Sequence, residues 1–149
     1  MSDDDKPPSD RPTVLLSNRQ PAPVDETGLL DLARTTLRGE GLVDVELSVS
    51  FVEEAEIEDL HVRYMNEPGS TDVLSFALGE VDEHGVRLLG DVVIAPAVAG
   101  RNNPGDPPAE LRLLLVHGIL HLLGYDHERD IEKATMWARQ ERYSGVRAP

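Results

Sequence analysis

Apolar residues recur along this chain with two clear periods. From Val43 to Phe51 they alternate strictly: Val43, Val45, Leu47, Val49 and Phe51 fall on one side, and Asp44, Glu46, Ser48 and Ser50 on the other. That is the spacing of a strand with one buried face. From Asp25 to Glu40 the period changes, and Leu29, Leu30, Ala33 and Leu37 share one helical face. Asp25 or Thr27 can cap the start of that helix, and Gly41 sits where it stops. Glu53 to Met65 is again helical, with Ile57, Leu60, Tyr64 and Met65 as its apolar side and Pro68-Gly69 after it. Glu53, Glu54 and Glu56 suit the positive end of its dipole.

Shorter runs complete the pattern. Thr13–Ser17, Asp72–Leu78 and Leu88–Ala95 read as strands, and the polar stretch Gly79–Arg87 suits a hairpin between the last two. Asn18–Val24 holds two prolines and reads as a loop, Pro96–Arg101 as a single helical turn, and Asn102–Pro108 as a breaker-rich loop. A helix then starts at Pro107 or Pro108 and runs to Leu123, where Gly124 stops it. A last helix covers about Asp130 to Tyr143, with Met136 and Trp137 as core. This order predicts one α+β domain over residues 13–149. Its sheet is mixed and four-stranded, with helical crossovers between parallel strands and an antiparallel edge. Residues 1–12 have almost nothing to bury and read as a disordered acidic tail.

Composition narrows the chemistry. The chain has 149 residues, 40% of them hydrophobic, which is enough for one self-sufficient core. It has no cysteine, so a disulfide scaffold, a cysteine nucleophile and a thiolate metal site are excluded. Any metal must sit on His, Asp or Glu. The first residues do not resemble a secretory signal, and the longest apolar run, Val92 to Gly100, is interrupted by Pro96. A membrane span needs about 20 apolar residues. The expectation is a cytoplasmic protein with no membrane partner.

Charge is placed unevenly. The formal net charge is −14, and residues 27–106 carry most of it, with 16 acids against 5 bases. Residues 107–149 are balanced, 6 against 6. Phosphate affinity comes mainly from Lys and Arg. A nucleic-acid role must therefore use the C-terminal third or a partner protein. Arg112, Arg129, Lys133, Arg139 and Arg142 are the concentrated bases there.

One constellation carries chemistry. His117, His121 and His127 fall within eleven residues, in HGILHLLGYDH. His117 and His121 are four apart on a predicted helix and project from one face. Gly124 can end the helix with a positive φ, and the chain can then return His127 to the same ion. Three neutral nitrogens leave a tetrahedral Zn²⁺ one open position, the layout of a catalytic site. The spacing HxxxHxxGxxH is that of the metzincin peptidases. There the residue after the first histidine is a glutamate base, and here it is Gly118.

HGILHLLGYDHE resembles the signature of the YbeY family. Thr71–Phe76 (TDVLSF) and Leu89–Ile94 (LGDVVI) resemble two of its strands, and Met136, Gln140 and Glu141 fit its last helix. The resemblance covers about residues 45–143. It implies a zincin-like α+β fold whose metal-binding helix carries HxxxHxxGxxH. It also implies one Zn²⁺ on His117, His121 and His127, with another divalent transition metal as the alternative. The activity implied is that of a metal-dependent, single-strand-specific endoribonuclease in 16S rRNA maturation and ribosome quality control. Its implied partners are rRNA and the small ribosomal subunit, directly or through partner proteins, and not DNA. Two other readings stand beside it: a metal-stabilised, non-catalytic ribosome-assembly factor, and a metallopeptidase.

The chain departs from the family pattern at four positions. Met65 stands where an arginine is usual, His61 where Asn is usual, and Ser70 and Ala77 where Pro is frequent. Arg63 is two residues from Met65, roughly 200° around a helix, on the opposite face. Asp91 is a candidate to orient a metal-bound histidine or to accept a proton. Asp126 competes for both roles, with helix capping as its plainer alternative. Asp72 and Ser75 are candidates either for strand-end packing or for the cleft.

Overall fold

A computed structural model describes residues 11–66, 71–125 and 130–146. Four strands form one sheet: β1 (Thr13–Asn18), β2 (Val45–Phe51), β3 (Val73–Ala77) and β4 (Arg87–Ile94), in the order β1-β2-β4-β3. β1 pairs with β2 and β2 with β4 in parallel, while β3 runs antiparallel to β4 at the edge. A mixed α+β sheet with an antiparallel edge is the one expected, but the connections differ: the helix after β2 leads to β3, the antiparallel edge strand, so of the two early helices only the one between β1 and β2 joins parallel strands.

The helices are α1 (Glu26–Gly39), α2 (Glu54–Met65), α3 (Pro96–Asn102), α4 (Pro107–Leu122) and α5 (Asp130–Ser144). α1 starts at Asp25, whose carboxylate accepts the Gly28 N–H at 3.1 Å. Asp106 caps α4 in the same way through the Ala109 N–H, with prolines in the first turn. Among the described residues no helix is long and apolar enough to cross a membrane.

α1 and α4 cover one face of the sheet. Val45, Leu47, Val49 and Phe51 of β2 are buried there against Leu29, Ala33 and Leu37 of α1 and Leu111, Leu115 and Ile119 of α4. Each fully buried side chain of this size contributes about 1.5–3 kcal/mol. α2 lies on the other face, where Ile57 packs with Leu74 and Val93. α5 lies on α4, with Met136 fully buried against Val116 and Leu120.

Three further expectations change. Of the apolar side assigned to α2, only Ile57 is fully buried; Tyr64 and Met65 are exposed. The helix is short and touches the sheet chiefly through β3, so its last turn overhangs the edge. Trp137 is exposed rather than core, because Met136 takes the inward position and Lys133 lies over the indole ring. Arg11 and Pro12, read as tail, are tied to α1: their carbonyls accept from Arg38 and Arg34. The rest of that tail, residues 1–10, and the helix-ending Pro68-Gly69 lie outside the described residues.

Candidate active site

α4 is the most apolar helix of the fold, and it runs beneath β3 and β4 with its inner face fully buried. His117 and His121 stand one turn apart near its C-terminal end, with ring centroids 4.7 Å apart and planes at 74°. Both open into a cleft of about 310 Å³ at the β3 edge. Ser75 is the other polar residue of the cleft wall, and Met65, Leu74, Ala77 and Leu122 supply apolar surface. The wall carries no carboxylate among the described residues.

The His117 ring is held in a defined state. Its Nδ1–H donates to the Oε1 of Gln140 on α5 at 2.8 Å. Gln140 is itself buried. A proton on Nδ1 leaves the lone pair of the neutral imidazole on Nε2, the arrangement that histidine ligands of metal ions use. The pair of histidines therefore fits a divalent ion: two imidazoles one turn apart, with one ring fixed by a buried partner. His127 and Asp126 lie outside the described residues.

The turn that leads toward His127 is described. α4 ends at Leu122, and Gly124 has φ +98°, the left-handed conformation that the sequence anticipates. The Tyr125 N–H then bonds back to the Leu120 carbonyl at 3.1 Å, which closes the helix end.

Asp91 is not where the sequence reading placed it. It lies on the α2 face of the sheet, in a groove with Ser50, Glu56, Phe76 and the Arg19 side chain. Its neighbour Val92 faces α4 instead, where it would meet a Cβ built on Gly118 at 2.7 Å. Asp91 therefore cannot orient His117 or serve the cleft, and Gln140 holds the position proposed for it. The run Val92-Val93-Ile94 is apolar at every position because both faces of β4 are covered, so its alternation could not be read.

Ser75 belongs to the cleft. Its Oγ–H donates to the Gly118 carbonyl at 3.2 Å, linking β3 to α4 beside His117. Asp72 is a loop partner instead, accepting from the Asn102 amide at 3.1 Å. Burial and the charge of Asp72 push the Glu110 carboxyl up, against a hydrogen bond from Asn103. Glu110 is seven residues before His117, about 10.5 Å along the helix axis, and does not reach the histidines. The role of Gln140 carried no local signal, because its partner lies 23 residues away on another helix.

Comparison with known proteins gives one family. The model described as endoribonuclease YbeY matches residues 16–145. The chain is 44% identical to the endoribonuclease YbeY of Acidothermus cellulolyticus, over 86% of this chain and 87% of that protein. It is 41% identical to that of Streptomyces coelicolor, with 86% of each covered. The solution structure of TM1509 from Thermotoga maritima superposes with a TM-score of 0.59 at 28% identity, covering 89% of this chain and 87% of that one.

Proposed function

The chain belongs to the endoribonuclease YbeY family, and from that premise we propose a metal-dependent, single-strand-specific endoribonuclease acting in 16S rRNA maturation. The observation that carries the metal-centred reading is the His117–Gln140 bond. With Nδ1 given to the buried Gln140 amide, Nε2 is the nitrogen that would take a metal ion, the arrangement outer partners give to histidine ligands. His117, His121 and His127 would hold one Zn²⁺ or a similar divalent ion. When bound, it supplies Lewis-acid polarisation of a phosphodiester oxygen and of water.

The chain's own residues do the rest. Ser75 and the apolar wall of Met65, Leu74 and Leu122 shape an open cleft of about 310 Å³ beside the histidines. No carboxylate lines this cleft among the described residues, and Asp91 of β4 is on the opposite face of the sheet. With Gly118 in place of a base, proton transfer falls to solvent, to the RNA or to a group outside the described residues. The substrate is 16S rRNA in the small ribosomal subunit, reached in the cytoplasm.

The peptidase alternative loses its footing in the same geometry. The space where a side chain at position 118 would start is occupied by Val92 and Ser75, so no base can be supplied from there.

The test is metal content after native purification, read beside cleavage of rRNA fragments and of casein, with and without chelator. The expected result is about one equivalent of metal, RNA cleavage lost on chelation and restored by Zn²⁺, and intact casein. Unchanged RNA cleavage by chelated protein, or full metal affinity in His121→Ala, would overturn it. Cleavage-free protein that still co-sediments with ribosomes would favour the assembly-factor reading instead.

A further inference from the structure

Outside the cleft, beside the turn that closes α4, one carboxylate gathers three donors from two distant parts of the chain. Glu40, the residue after α1, has a side chain only 6% exposed. Its Oε1 accepts the Tyr125 hydroxyl at 2.6 Å, and its Oε2 accepts the Tyr143 hydroxyl at 2.6 Å and the Arg139 Nη1 at 2.7 Å. Tyr143 can approach only because residue 39 is glycine: a Cβ there would stand 2.5 Å from the tyrosine ring. Burial opposes ionisation of Glu40, but the two hydroxyls and the Arg139 charge hold its carboxyl below the usual range.

Two of these donors, Arg139 and Tyr143, bracket Gln140 on α5. We propose that Glu40 is a positioning residue for the histidine site: by fixing α5 along its axis, it sets the Gln140–His117 hydrogen bond. The inference rests on the metal reading of that site. Apolar packing of Met136 between Val116 and Leu120 holds α5 against α4 but is not directional. A hydrogen bond tolerates only a few tenths of an ångström and a limited angle. The Glu40 contacts, made from the end of α1, supply a directional constraint on α5 at the positions either side of Gln140. A buried anion at this point thus reaches the site through one helix without touching the cleft.

The experiment uses the full chain and Zn²⁺ alone as the probe. In metal-free protein, ¹⁵N NMR of the imidazoles reports the His117 tautomer, assigned by the signal lost in His117→Asn. The wild type should show the proton on Nδ1. Glu40→Gln should move that signal toward a mixture of tautomers and weaken Zn²⁺ binding about 10-fold, the scale of a lost outer partner. Tyr143→Phe, which keeps the ring and removes one donor, should act in the same direction and serves if Glu40→Gln does not fold. In Glu40→Gln/Gln140→Leu the combined loss of affinity should be well below the sum of the two single losses. Additive losses, or an unchanged tautomer and affinity in a folded variant, would overturn the proposal. Should the wild type bind no Zn²⁺, the metal reading fails, and the tautomer measurement still decides the role of Glu40.

Discussion

His117 and Gln140 meet at 2.8 Å, ring nitrogen to amide oxygen, and this contact ties α4, which lines the cleft, to α5 behind it. Removing the acceptor frees the ring to take the other tautomer. Gln140→Leu is expected to keep the fold and to weaken Zn²⁺ binding by about 10–100-fold. Competition with a chromophoric chelator measures this, and wild-type affinity would show that the contact is incidental.

The approach of α4 to β4 leaves no room at Gly118. A methyl group there would meet Val92 Cγ1 at 2.7 Å and Ser75 Oγ at 3.2 Å. Gly118→Ala is therefore expected to cost about 1–3 kcal/mol by overpacking, read from urea unfolding. Gly118→Glu should cost more, lower RNA cleavage and give no casein hydrolysis, because its carboxylate starts toward Val92 and not toward the histidines. Stability equal to wild type in Gly118→Ala would contradict the close contact.

Gly124 closes α4 at φ +98° with open space around it. Steric room is not the constraint there; backbone conformation is. A β-branched residue resists this region by about 1–2 kcal/mol. Gly124→Val should lower both stability and Zn²⁺ affinity although it touches no ligand. A thermal melt and a metal titration on one sample would check both.

The Glu40 cluster predicts a pH window. The folded-state pKa of Glu40 is lowered, so its contribution is present above the ordinary carboxylate value of about 4.3 and is lost as pH falls through the folded value. Tyr143 shifts the other way, raised by burial and by its hydrogen bond to Glu40. Its contribution is present below about pH 10 and is lost as pH rises through the folded value. The stability gap between wild type and Glu40→Gln should be widest between these limits and narrow beyond each. Urea unfolding across the range checks it, and a gap independent of pH would contradict the assignment.

Zn²⁺ affinity itself should decline as pH falls through the imidazole range, since protonated histidine cannot ligate. Direct titration at pH 5 and 7.5 tests this. Equal affinities would point to carboxylate ligands.

What the sequence determined by itself is local. The two periods of apolar residues located each strand and helix to within a residue or two, because side chains i, i+2 or i, i+4 share a face whatever surrounds them. The same rule put His117 and His121 together, and the chirality of the backbone marked Gly124 as the end of α4. Tertiary structure decided what depends on partners far along the chain. β4, not β3, adds to β2, and only this register sends Val92 toward α4 and Asp91 to the opposite face. Gln140 and Glu40 are ordinary surface-type residues in any local window. They become positioning groups only when α1, α4 and α5 converge, because a hydrogen bond depends on distance in space and leaves no periodic trace in the sequence.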